Sequence, residues 1–169
     1  MKIFLTGFMG SGKSTIGRRM SEIVGFDFWD TDRLIEQEQG KTVSEIFAEL
    51  GEDAFRRLEH NLLLSLAARD FAVVSTGGGM PCFHQNMDLM LHCGKVVYLK
   101  THPETLARRL MRSQTERPLI RDKTFEALQE YITVKLKERE PFYRRAEFVV
   151  QTEDFSMDGL LRLLNLMRG

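Results

Sequence analysis

Residues 7–15 read GFMGSGKST and follow directly on the apolar run KIFLT at 2–6. Gly7, four residues, Gly12, Lys13 and Ser14 satisfy the spacing GxxxxGK[ST], between a strand-like segment and an amphipathic one, where a phosphate-binding loop has to sit. Glycines at 7, 10 and 12 let the chain turn tightly and aim its N–H groups inward, an anion nest at the start of the next helix. Gly10, Ser11, Gly12, Lys13, Ser14 and Thr15 are the expected cradle for a nucleoside triphosphate. Lys13 would reach the β and γ phosphates as a point charge, and the Ser14 hydroxyl would complete the coordination of a Mg²⁺ that keeps most of its waters.

Outward from this loop, the chain alternates. KIFLT reads as a buried strand, and KSTIGRRMSEIVG as a helix with Ile16, Met20 and either Ile23 or Val24 on one face, stopped at Gly25. FDFWD is a short strand and TDRLIEQEQG a helix ending at Gly40. TVSEIFAELG is a short helix capped by Thr42 or Ser44 and terminated at Gly51, and EDAFRRLEHNLLLSLAARD is a long one with Phe55, Leu58, Leu62 and Leu66 at helical spacing. FAVVS and KVVYL are continuous β-branched runs, suited to strands covered on both faces. PETLARRLMR and TFEALQEYITVKLKERE are helices, AEFVV a last strand and SMDGLLRLLNLMR a closing helix. The alternation predicts an α/β fold, a doubly wound parallel sheet with helices on both faces and ligands at the carboxyl ends of the strands. RSQTERPLIRDK, at 112–123, interrupts the pattern: it is polar, contains Pro118 and has little to bury, so it reads as a mobile lid.

A length of 169 residues is about that of one domain, so residues 1–169 are expected to form a single unit. Lys and Arg (24) balance Asp and Glu (24), leaving no net field to recruit nucleic acid or an anionic membrane. Cys82 and Cys93 lack CxxC spacing and are expected to be reduced thiols, and His60, His84, His92 and His102 show no metal-ligand spacing. With no signal segment and no apolar span of about 20 residues, the expected location is the cytoplasm.

A phosphate-loop protein usually supports its metal with an Asp at the end of a second strand, yet FAVVS ends in Ser75. FDFWDTD offers the missing acid: Asp30 closes a strand and is expected in the water shell of Mg²⁺, while Asp32, where the chain leaves the sheet, is either an acceptor ligand or the N-cap of a helix beginning at Arg33. In STGGGM, Gly77, Gly78 and Gly79 follow a strand directly and permit close backbone approach to a small ligand. Arg56 or Arg57 is placed to point toward the strand ends, and Arg139, expected to end a helix just before Pro141, to turn into the same cleft. Two such arginines would make a fork for a carboxylate or phosphate. Arg117, carried by the lid, would close on the transferred phosphate as an arginine finger supplied in cis.

Taken in order, GFMGSGKST, DTD, FRRLE, STGGG, RPL and REPFYRRAE resemble the shikimate kinase family, from residue 1 to about 150. The resemblance implies an adenylate-kinase-like P-loop NTPase fold with a five-stranded parallel sheet, ATP and Mg²⁺ as cofactors, and transfer of the γ-phosphoryl group to the 3-hydroxyl of shikimate, a step of aromatic amino acid synthesis. It implies Asp32, Arg56, Arg139 and the backbone at Gly78 and Gly79 as shikimate contacts, Lys13 and Arg117 as phosphate-stabilising residues, and Ser14 with Asp30 as the magnesium site. An arginine near the lid packs on adenine in the family; Arg108, Arg109 and Arg112 all lie close, and Arg109 is taken. The expected catalytic set is Lys13, Asp32 and Arg117, in a monomer acting on a small molecule. Gluconate or nucleoside monophosphate kinases would share the loop, lid and fold, but DTD with paired arginines suits an acid better than a nucleobase. A GTP switch would need an element such as NKxD, and none occurs.

Overall fold

The computed structural model describes residues 1–113, 123–153 and 155–168. Five parallel strands form one sheet: β1 (Lys2–Thr6), β2 (Asp27–Asp30), β3 (Ala72–Ser75), β4 (Lys95–Lys100) and β5 (Phe148–Gln151), in the order β2-β3-β1-β4-β5. The strand that delivers the glycine loop is therefore the central one. To one side the chain goes on to β3 and β2, to the other to β4 and β5, and the loop after β1 opens at the point where the strand order reverses, where ligands bind in open α/β sheets.

Alternation along each strand divides the core in two. Ile3, Leu5, Val73, Val97 and Leu99 face α1 (Lys13–Val24) and α7 (Met157–Arg168), where they meet Met20, Leu160, Leu163, Leu164 and Met167. Phe4, Val74, Val96 and Tyr98 face the other side, packed with residues of α2 (Thr31–Gln39), α3 (Val43–Ala67), α4 (Asn86–Cys93), α5 (Pro103–Arg112) and α6 (Phe125–Tyr143). A period of two along the strands thus produces two hydrophobic layers and helices on both faces.

Most elements fall where the patterning puts them. On α1 the inward residue after Met20 is Val24, which packs on the core, while Ile23 is exposed. Helix α3 carries the break expected at Gly51, whose backbone leaves the helical region, and it starts with the Thr42–Glu45 capping box. Two differences bear on the site. Helix α6 does not stop before Pro141 but continues to Tyr143. A proline in the last turn forfeits one intrahelical hydrogen bond, and the buried Tyr143 beyond it keeps the turn in register. A 3-10 turn (Met80–Cys82) and α4 occupy a stretch with no clear apolar period; buried Asn86, Met87 and Met90 anchor it. The expected lid falls mainly at 114–122, outside the described residues.

Close packing sets the depth of the loop helix. A Cβ at Gly17 would lie 2.7 Å from Phe28 Cε2 and 2.9 Å from Leu5 Cδ1, so α1 rests on the sheet with no room for a side chain. Gly17→Val is expected to cost about 1–3 kcal/mol by overpacking, read as a lower urea midpoint; an unchanged midpoint would mean that α1 is not held this closely.

Candidate active site

The loop between β1 and α1 has the backbone its glycines suggest. Gly7, Gly10 and Gly12 all have positive φ, and a Cβ at Gly7 would lie 2.7 Å from the carbonyl oxygen of Leu99. Gly12 is the N-cap of α1 and supplies no side-chain cap, so the first-turn N–H groups are turned to the loop. Lys13 is buried and folded back over the loop, its ammonium donating to the carbonyl oxygens of Gly7 (2.8 Å) and Phe8 (2.9 Å). Ser11 is buried too, with a hydroxyl that has no hydrogen-bond partner among the described residues. Ser14 and Thr15 are exposed at the mouth.

The acid missing from β3 comes from its neighbour. Asp30 pairs in register with Ser75, and the Ser14 hydroxyl donates to Asp30 Oδ2 at 2.6 Å while lying 3.4 Å from the Ser75 hydroxyl. Asp30 also serves as the N-cap of α2, which starts at Thr31 rather than Arg33, so the cap role considered for Asp32 belongs to Asp30. This all-oxygen donor set suits a hard divalent cation. Among the described residues no group of three or more acidic, His or Cys side chains is placed to hold a metal ion; at Ser14 and Asp30, phosphate and water would supply the further oxygens.

Beside the loop, α2, α3 and α6 converge on the backbone of Gly77–Gly79. A Cβ at Gly77 would lie 2.5 Å from Glu59 Oε1 and 2.7 Å from Asp32 Oδ1; at Gly79 it would strike the guanidinium of Arg56 at 2.4 to 2.6 Å. At Gly78 the neighbours are Arg139 Nη1 at 3.5 Å and the loop atoms Met9 N and Gly7 O. The Thr31 hydroxyl accepts from Gly77 N at 2.8 Å. Asp32, Arg56, Arg139, Gly78, Gly79 and the phosphate loop are thus brought together.

Arg56 rather than Arg57 turns inward: it is 5% exposed, while Arg57 is on the surface. Its Nη1 donates to Glu59 at 2.7 Å, and Nε and Nη2 to Glu52 at 3.2 and 2.8 Å. The ring centroid of Phe83 lies 4.4 Å from its Cζ, and Phe55 and Phe47 flank it at 5.6 and 5.7 Å. Burial opposes charge on Arg56, but Glu59 and Glu52 outweigh it and hold its pKa above the ordinary value. A guanidinium has five N–H donors and these carboxylates use three, so the fork can still take an acid. Arg139 sits inside α6 with its guanidinium 5.4 Å from the Phe8 ring centroid. Of the three arginines near the lid, Arg108 pairs with Glu104 and Arg109 donates to Gly10 O at 3.2 Å, so Arg109 is the one that touches the phosphate loop. Arg117 lies outside the described residues.

A family model described as shikimate kinase matches residues 9–164. The chain belongs to the shikimate kinase family. A shikimate kinase of Bacteroides thetaiotaomicron is 42% identical over 154 residues, 91% of this chain and 88% of the relative. A crystal structure of shikimate kinase from the same organism superposes with a TM-score of 0.95 at 38% identity, covering 100% of this chain and 99% of the other. The shikimate kinase of Acinetobacter baumannii, solved in complex with shikimate, gives 0.87 at 35% identity over 99% and 92% of the two chains. As a member of this family, the chain is a small-molecule kinase that uses ATP.

Glu59 and Tyr143 are absent from the site that the motifs mark out. Both had a signal: Glu59 falls on the Phe55, Leu62, Leu66 stripe of α3, and Tyr143 continues the Leu128, Ile132, Leu136 stripe of α6. Glu59 is 1% exposed, and its Oε1 has no hydrogen-bond partner among the described residues. Burial pushes its carboxyl up to about 7 against the opposing pull of Arg56, with Asp32 adding to the rise. Cys82 is likewise pushed up to about 11 by burial, so it is a thiol at neutral pH.

A carboxyl held above its unfolded value binds protons on folding. Between the ordinary value of 4.5 and about 7, folded chains carry more of this proton than unfolded ones, so this group's contribution to stability falls as pH rises through that window. Urea unfolding of Glu59→Gln at pH 5, 6 and 7.5 is expected to show a shallower loss with pH than the wild type. Parallel curves would mean that Glu59 is ionised throughout.

Proposed function

We propose that the chain transfers the γ-phosphoryl group of ATP to the 3-hydroxyl of shikimate, giving shikimate 3-phosphate and ADP in the synthesis of aromatic amino acids through chorismate. The observation that carries the acceptor assignment is the buried Arg56 fork set against Gly79, with Asp32 one glycine away at Gly77 and the phosphate loop alongside. A small acid bearing hydroxyls matches it: carboxylate toward Arg56, Arg139 and the backbone of Gly78 and Gly79, hydroxyls toward Asp32.

In this reading Gly10, Ser11, Gly12, Lys13, Ser14 and Thr15 hold the triphosphate, Arg109 lies against the adenine, and Ser14 and Asp30 hold Mg²⁺ with its waters. The metal would neutralise charge on the β and γ phosphates. Asp32 orients the acceptor hydroxyl and takes its proton as the new P–O bond forms and the bond to the β-phosphate oxygen breaks. Lys13 and Arg117 offset the charge that spreads over the equatorial oxygens, and catalysis is mainly positioning and electrostatics. The working unit is a single kinase domain of residues 1–169 with a lid at about 112–123, a cytoplasmic monomer with no nucleic-acid or membrane partner. No helix among the described residues is long and apolar enough to cross a membrane.

The test is ADP production from Mg·ATP with shikimate, gluconate, nucleoside monophosphates or no acceptor. Shikimate alone should stimulate; stimulation by another acceptor would keep the phosphate site and overturn the pocket. Arg56→Ala is expected to lower kcat/KM for shikimate by about 100-fold, the scale of a lost charge-assisted fork. Arg117→Ala should lower the chemical step by about 10³-fold; turnover near wild type at saturating substrates would remove Arg117 from the mechanism.

A further inference from the structure

The three carbonyls of the glycine segment are held in two different ways. Gly77 O accepts from Met80 N at 3.1 Å and Gly79 O from Cys82 N at 2.9 Å, both within the local turn. Gly78 O instead accepts from the hydroxyl of Tyr143, a side chain 65 residues away at the end of α6. Tyr143 is fully buried, its ring 5.0 Å from that of Tyr98 on β4, with Arg139 one turn earlier on the same helix. Burial drives the phenol well above its ordinary pKa, so it remains a donor at every working pH.

Peptide planarity turns this contact into a constraint. In a trans peptide the carbonyl of residue 78 and the N–H of residue 79 point in opposite directions, so pinning the first aims the second. Glycines on both sides make rotation of this peptide inexpensive, and a rotated peptide would present a carbonyl where the acceptor's carboxylate needs an N–H. We propose that Tyr143 is a positioning residue for acceptor binding: its hydroxyl, held on Gly78 O, locks the Gly78–Gly79 peptide with the Gly79 N–H directed at the acceptor acid. The inference rests on the assignment of Gly78, Gly79 and Arg139 to the shikimate pocket.

Tyr143→Phe removes the hydroxyl and keeps the ring. It should raise KM for shikimate about tenfold, leave KM for ATP within about twofold, and weaken shikimate binding without nucleotide, by calorimetry, in the same proportion. Tyr98→Phe, which alters the stacked ring partner, should leave both KM values unchanged. Replacing Tyr143 with p-aminophenylalanine restores an N–H donor at the ring tip and should return KM for shikimate to within about threefold of wild type. A lowered thermal midpoint in Tyr143→Phe with KM for shikimate unmoved, an equal rise in both KM values, or no rescue by the amino analogue would each overturn the proposal. Wild-type protein without shikimate-dependent turnover would instead overturn the acceptor assignment itself.

Discussion

Three consecutive residues without side chains, Gly77–Gly79, allow α2, α3 and α6 to bring charged groups onto one short length of backbone. The space a Cβ would fill at Gly77 is taken by Glu59 and Asp32, and at Gly79 by Arg56. A methyl group at either position would displace a carboxylate or a guanidinium rather than a yielding aliphatic chain. The strand order completes the arrangement: β3, which delivers the glycines, lies directly beside β1, which delivers the phosphate loop. The phosphate loop and the Gly77–Gly79 segment are adjacent because two neighbouring parallel strands end at the same edge.

Electrostatics explain why Arg56 can be both buried and available. Taking a guanidinium out of water is costly unless it is paired. Glu52 and Glu59 supply that pairing from one turn before and one turn after on the same helix, and Phe83, Phe55 and Phe47 surround the rest with aromatic faces. The fork is consequently held in place by its own helix. Glu59 bears the corresponding strain, a carboxyl so desolvated that burial dominates its protonation even beside a permanent cation.

On the side of the phosphate loop, the carboxylate nearest Ser14 is set by strand register. With Ser75 at the end of β3, the carboxylate comes from the next strand outward, where Asp30 lies in register with Ser75 and within hydrogen-bonding reach of Ser14. The same side chain caps α2, and so helps to set the helix that carries Asp32.

Reading the residues alone was sufficient for the alternation of strands and helices, the nucleotide loop, and the choice of Asp30 as the acid near Ser14. These are local: glycine spacing, β-branched runs and helical periods act over a few residues. Which of Arg56 and Arg57 turns inward, the passage of α6 through Pro141, and the presence of Glu59 and Tyr143 beside Gly77–Gly79 were decided by tertiary packing. Each depends on groups far apart in the chain, as when the Tyr143 hydroxyl meets the carbonyl of Gly78. A helical stripe records that a residue is buried, but not what it is buried against, and for a charged or hydroxyl side chain that partner decides its role.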